Sequence, residues 1–73
     1  MGKGTVQYLD IEGGFYGIVA DDGSNYDPIN LSSDFSDFEE DGLRVTFEGK
    51  IRDDLDSIHM WGTIIELTAV EKL

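Results

Sequence analysis

Apolar residues recur at every second position along most of this chain, which predicts strands rather than helices. The clearest alternation is LRVTFEGKIR, 43–52. Leu43, Val45, Phe47 and Ile51 take one face; Arg44, Thr46, Glu48, Lys50 and Arg52 take the other. Such a strand lays one face on a core and the other in water. A first strand, Gly4 to Glu12, breaks this parity: Val6 and Tyr8 share one side, Leu9 and Ile11 the opposite one. Partial burial on both sides, or a bulge, accounts for the break. The glycines at 13–14 turn the chain into a second strand, Phe15 to Ala20, and Asp21-Asp22-Gly23 predicts a hairpin. A third strand runs from Asn25 to Leu31. Pro28 has no amide hydrogen, so this strand is expected to be an edge, at least locally.

The stretch LSSDFSDFEEDGL, 31–43, has a different pattern. Serine and aspartate suit a helix start, Phe35 and Phe38 fall on one helical face, and Asp41-Gly42 suits a stop. One short helix is predicted over 33–40, its phenylalanines closing one end of the core. A polar turn at 52–56 leads to a last strand, Ser57 to Glu71. Beyond Gly62 its odd positions, Ile65, Leu67 and Ala69, read as buried. Before Gly62 the even ones, Ile58 and Met60, do. A bulge or bend at Gly62 would reconcile the halves. The order of three strands, a short helix and two strands predicts one all-β domain over 1–73: a five-stranded OB-fold-like Greek-key barrel with its helix between strands 3 and 4, with another small barrel or a rolled sheet as the alternative.

Composition narrows the chemistry. A chain of 73 residues buries only ~60% of the surface its unfolded form exposes. With no cysteine and a single histidine, disulfides, thiolate metal sites and a histidine-rich zinc site are excluded. Packing alone must stabilise the fold, and the absence of cysteine fits a cytoplasmic location. The apolar residues from Val6 to Ile11 are interrupted by Gln7 and Asp10 and have no basic flank, so they do not read as a leader. No apolar run approaches the ~20 residues of a membrane helix. Sixteen acids against five bases give a net charge of −11. That surface repels nucleic-acid backbones and anionic membranes and favours a monomer.

The segment SIHMWGT, 57–63, holds the one histidine and the one tryptophan. Tyr8, Tyr16, Tyr26, His59 and Trp61 are the candidate ligand-binding residues, an aromatic surface on which a protein or small ligand would stack. The structural alternative makes Trp61 a cover for a barrel end and His59 a solvated strand residue. Single-strand nucleic-acid binding would need Arg44, Lys50 and Arg52 on the outward face of the fourth strand, where Glu48 lies among them. A divalent cation would need Asp21, Asp22 and Asp27 to converge across a hairpin, without the EF-hand spacing. Catalysis is not expected. No carboxylate pair stands out, and Asp56, Ser57 and His59 would have to meet at a kink. No cofactor motif is present, since EGGFYG lacks the lysine and helix of a phosphate loop.

The stretches LDIEGGFYGIVADDG (9–23), EGKIRDD (48–54) and SIHMWGT (57–63) resemble a group of small uncharacterised prokaryotic proteins, prominent in methanogenic archaea and assigned an OB-like barrel. The resemblance runs from Gly4 to Leu73 and is least in the helix region. It implies the fold, and it marks Gly13, Gly14, Gly17 and Gly62 as backbone positions that shape the barrel. It carries no activity over. The expected function is therefore a non-enzymatic binding module, with nucleic-acid binding and a weak cation site as alternatives.

Overall fold

Val45 and Phe47 alternate with Arg44, Thr46 and Glu48, and this alternation sets a strand with one face inward. The computed structural model describes residues 2–11, 13–55 and 61–73. Its strands are β1 (Gly2–Leu9), β2 (Phe15–Ala20), β3 (Asn25–Pro28), β4 (Leu43–Ile51) and β5 (Thr63–Lys72). They close into a barrel in the order β1-β2-β3-β5-β4, with β4 returning to β1. All pairs are antiparallel except β3 with β5. This order, the one parallel pair and the helix between β3 and β4 make an OB-fold-like Greek-key barrel. Its interior holds Val6, Ile18, Ala20, Leu31, Val45, Phe47, Ile65, Leu67 and Val70. No helix among the described residues is long and apolar enough to cross a membrane.

Several expected boundaries shift, each for a physical reason. β1 ends at Leu9, where its ladder with β2 ends, and its pairing with β4 already stops at Val6. Val6 is fully enclosed, whereas Tyr8 on the same face, beyond the β4 ladder, is 48% exposed. Leu9 points outward, so the parity break reflects two covered faces and needs no bulge. β3 is not an edge strand, because it pairs with β2 on one side and β5 on the other. Asp27 and Pro28 lie beyond the β2 ladder, which ends at Tyr26; continuing it would set Pro28, with no amide hydrogen, opposite Tyr16. Contact with β5 continues past it, as the Ile29 N–H donates to the Ile65 carbonyl at 3.0 Å.

The predicted helix is shorter and starts earlier. α1 spans Leu31–Asp34, and a separate 3₁₀ turn spans Ser36–Phe38. Asn30 explains the start. Its side-chain amide donates to the Leu67 carbonyl at 2.9 Å and its side-chain oxygen accepts from the Leu67 N–H at 2.8 Å. The helix is thus hooked to β5, and Leu31 is driven into the core at 2% exposure. Phe35 and Phe38 do meet, edge to face at 6.3 Å, and pack on the core.

A bend falls at 61–62, just before β5, and β5 itself carries a further irregularity. The register shifts where Glu48 pairs with Ala69 and Gly49 with Leu67, which leaves Thr68 as an extra residue. Burial accordingly moves from odd to even positions, from Ile65 and Leu67 to Val70, and Ala69 turns to solvent. Gly49 lies against the Glu66 carbonyl, where a β-carbon would come within 2.6 Å. Ile51 keeps its inward parity but runs past the core, 53% exposed. The part of the expected last strand at 57–60 lies outside the described residues.

Candidate functional site

Cross-strand register builds the site. Tyr8 pairs with Tyr16 in the β1–β2 ladder, so both rings leave the same face. They meet edge to face with centroids 5.3 Å apart. Tyr8 is fixed at both ends. Its backbone N–H donates to an Asp41 carboxylate oxygen at 2.9 Å. Its hydroxyl lies over Gly14, where an added β-carbon would come within 1.9 Å of that oxygen. Gly14 has φ +95°, the left-handed region that glycine tolerates.

These rings border an open cleft of about 500 Å³ at one end of the barrel. Phe15 and Tyr16 form one wall; Asp27, Pro28 and Ile29 face them across the gap where the β2–β3 ladder has ended. Leu31 and Ser32 close it from α1, and Leu55, Ile64 and Glu39 complete it. Most of the lining is apolar, and Tyr8, Ile29 and Leu55 are large apolar groups left exposed. Asp27 is buried at 3% exposure and has a partner within the fold. None of the five basic residues lines the cleft.

The other expected aromatics do not join this surface. Trp61 lies on the outer face of the β1–β2 ribbon. It stands edge to face with Phe15 at 5.7 Å and over Gly17, whose β-carbon would come within 2.4 Å of the indole. It is half-buried there and fills the space a side chain at 17 would take. Tyr26 packs on Phe47 at 5.5 Å and lines a separate recess with Ala20 and Asp21. The structure therefore brings only Tyr8 and Tyr16 together, and Tyr26 and Trp61 lie apart from them. His59, with Asp56 and Ser57, lies outside the described residues.

The two arginines of the basic cluster, Arg44 in β4 and Arg52 just after it, are paired within the chain. Arg44 makes a two-pronged pair with Asp21, at 2.6 and 2.8 Å, and donates to the Thr5 hydroxyl at 3.0 Å. Arg52 pairs with both Asp54 oxygens at 2.9 Å and with Glu66 at 2.5 Å. These hydrogen bonds hold the Asp21 and Asp54 carboxyls below the usual carboxylate range and raise both guanidinium groups. Lys50 stands opposite Glu66 in the ladder. Two-pronged guanidinium–carboxylate pairs are the geometry a phosphate would have to displace.

The expected cation candidates do not converge either. Asp21 is turned to Arg44. Asp22 accepts from the Ser24 N–H at 2.9 Å, a bond that lowers its carboxyl. Asp27 lines the aromatic cleft. No group of three or more possible metal ligands occurs among the described residues.

Sequence reading marked Gly14 only as a backbone position and missed Ile29, Asn30, Leu31 and Glu39. Ile29 follows the proline that ends a ladder, and Glu39 sits in an acid-rich run where every carboxylate looks alike. No family model, no curated protein and no solved structure matches this chain.

Proposed function

We propose that this protein is a small, non-enzymatic binding module that takes up part of a protein or a small ligand in the Tyr8–Tyr16 cleft. The observation that carries the reading is the cleft itself: a concave, mostly apolar site about 500 Å³ in volume, with an exposed tyrosine held in place by Gly14 and Asp41. Sites of this size and lining are what small ligands and peptide side chains require. Barrels of this topology use the face of strands 2 and 3 and the loops after strands 1 and 4. Gly14 and Leu55 bring those two loops to the cleft. That parallel is one of fold alone.

The proposal includes a monomer in the cytoplasm and kinship with the small prokaryotic OB-like proteins that the sequence resembles. High negative charge and the absence of cysteine support the first part. Single-strand nucleic-acid binding stays second, because Arg44 and Arg52 already hold carboxylates of their own chain.

The test is an amide NMR titration with capped amino-acid amides and, separately, with a short mixed single-stranded DNA at low salt. Shifts gathered at Tyr8, Gly14, Tyr16, Leu31 and Ile64 on adding the amides are expected. Shifts confined to β4 on adding DNA, lost at high salt, would put the nucleic-acid reading first. No response at the cleft to any amide rejects the proposal.

A further inference from the structure

We infer that the occupant of the cleft is a lysine or arginine side chain presented by a basic peptide. The inference rests on the cleft being the binding site. Three features of the cleft match the two ends of such a side chain. Pro28, Ile29, Leu31 and Ile64 offer apolar lining for a methylene stem, and long basic side chains lay their stems along apolar surface while the head stays polar. Tyr8, 48% exposed at the mouth, offers ring surface to a cation. Glu39 adds a carboxylate to the same lining.

The surroundings favour the same occupant. The segments that border the cleft carry further acids: Asp10 before the β1–β2 turn, Glu40 and Asp41 after Glu39, and Asp53 before Leu55. The cations of the chain are committed or lie elsewhere. Arg44 and Arg52 are paired, Lys50 stands opposite Glu66 in the β4–β5 ladder, Lys72 sits over the Phe38 ring at 5.9 Å, and Lys3 lines the recesses away from the cleft. An aromatic, apolar cleft with no cation of its own, in a chain of net charge −11, is complementary to a basic segment and repels an acidic one. Long-range attraction would also speed capture.

The test compares two capped nine-residue peptides by amide NMR and affinity. One has three lysines among leucines and serines; the other has glutamine at the lysine positions. The lysine peptide is expected to shift Tyr8, Gly14, Tyr16 and Ile64 and to bind at least about tenfold more tightly than the glutamine peptide. Glu39→Gln, which preserves volume, and Tyr8→Leu, which keeps apolar bulk without the ring, should each weaken the lysine peptide about threefold or more and leave the glutamine peptide unchanged. Equal binding of both peptides at the cleft would overturn the cationic inference and leave the cleft as a binding site. Lysine-peptide shifts spread over the acidic surface, with the cleft amides silent, would also overturn it. Silence at the cleft with these peptides and with every amino-acid amide would remove the binding site itself.

Discussion

Phe15 and Tyr16 are neighbours in the chain and face opposite sides of one strand. Tyr16 turns toward the barrel end and meets Tyr8; Phe15 carries the outer face, where it meets Trp61. Both pairs are edge to face, and each stands over a glycine. Their surroundings differ. Trp61 fills the space left by Gly17 and covers Leu9 and Phe15, which is packing. Tyr8 is held over Gly14 and leaves nearly half its surface at the mouth of a cleft. The larger ring is thus a cover, and the smaller one has a surface to offer. Aromatic content alone does not distinguish the two; the neighbours of each ring do.

That contrast can be broken at several points. Ile18, fully enclosed, supports the wall between the two pairs. Ile18→Ala should cost about 2–5 kcal/mol, seen by chemical denaturation, and weaken both sides together. Gly17→Ala forces the indole away and should cost about 1–3 kcal/mol, with a red-shifted tryptophan emission and an intact cleft. Gly14→Ala strains a positive φ for about 1–2 kcal/mol. It should also displace Tyr8, so ligand uptake falls while tryptophan emission is unchanged. The smallest effect is at the Asp21–Arg44 pair, remote from both. Arg44 holds the Asp21 carboxyl below its ordinary 3.8, so the folded chain binds fewer protons there than the unfolded one. The stability from the pair is complete above that value and is lost as pH falls through the lower, folded one. Asp21→Asn should lower the melting temperature slightly at pH 7 and not at all once Asp21 is protonated; it should leave both aromatic pairs unchanged.

Much of the barrel is legible in the sequence because period-two alternation is a local signal. Val45 and Phe47 declare β4, Asp22-Gly23 declares the hairpin, and the helix between the third and fourth strands selects the topology. What is not legible depends on contacts between distant residues. Thr68 becomes the extra residue of β5 only through its register with Glu48 and Gly49. Asn30 sets the helix start by bonding to Leu67, far along the chain. Pro28 suggests an edge until β5 arrives in parallel on its other side. The candidate site follows the same rule. Tyr8 and Tyr16 could be nominated from residue type, but separating them from Trp61 and Tyr26 requires the pairing of β1 with β2 and the glycine under each ring.

The most direct test of the central claim sets Tyr8→Ala beside Trp61→Phe and measures, for each, the affinity for the lysine peptide. Tyr8→Ala is expected to lose most of the binding with little change in melting temperature. Trp61→Phe is expected to melt earlier and to bind the peptide as the parent does. The reverse result, binding lost with Trp61 and kept without Tyr8, would contradict the account and make the outer face of the β1–β2 ribbon the functional surface.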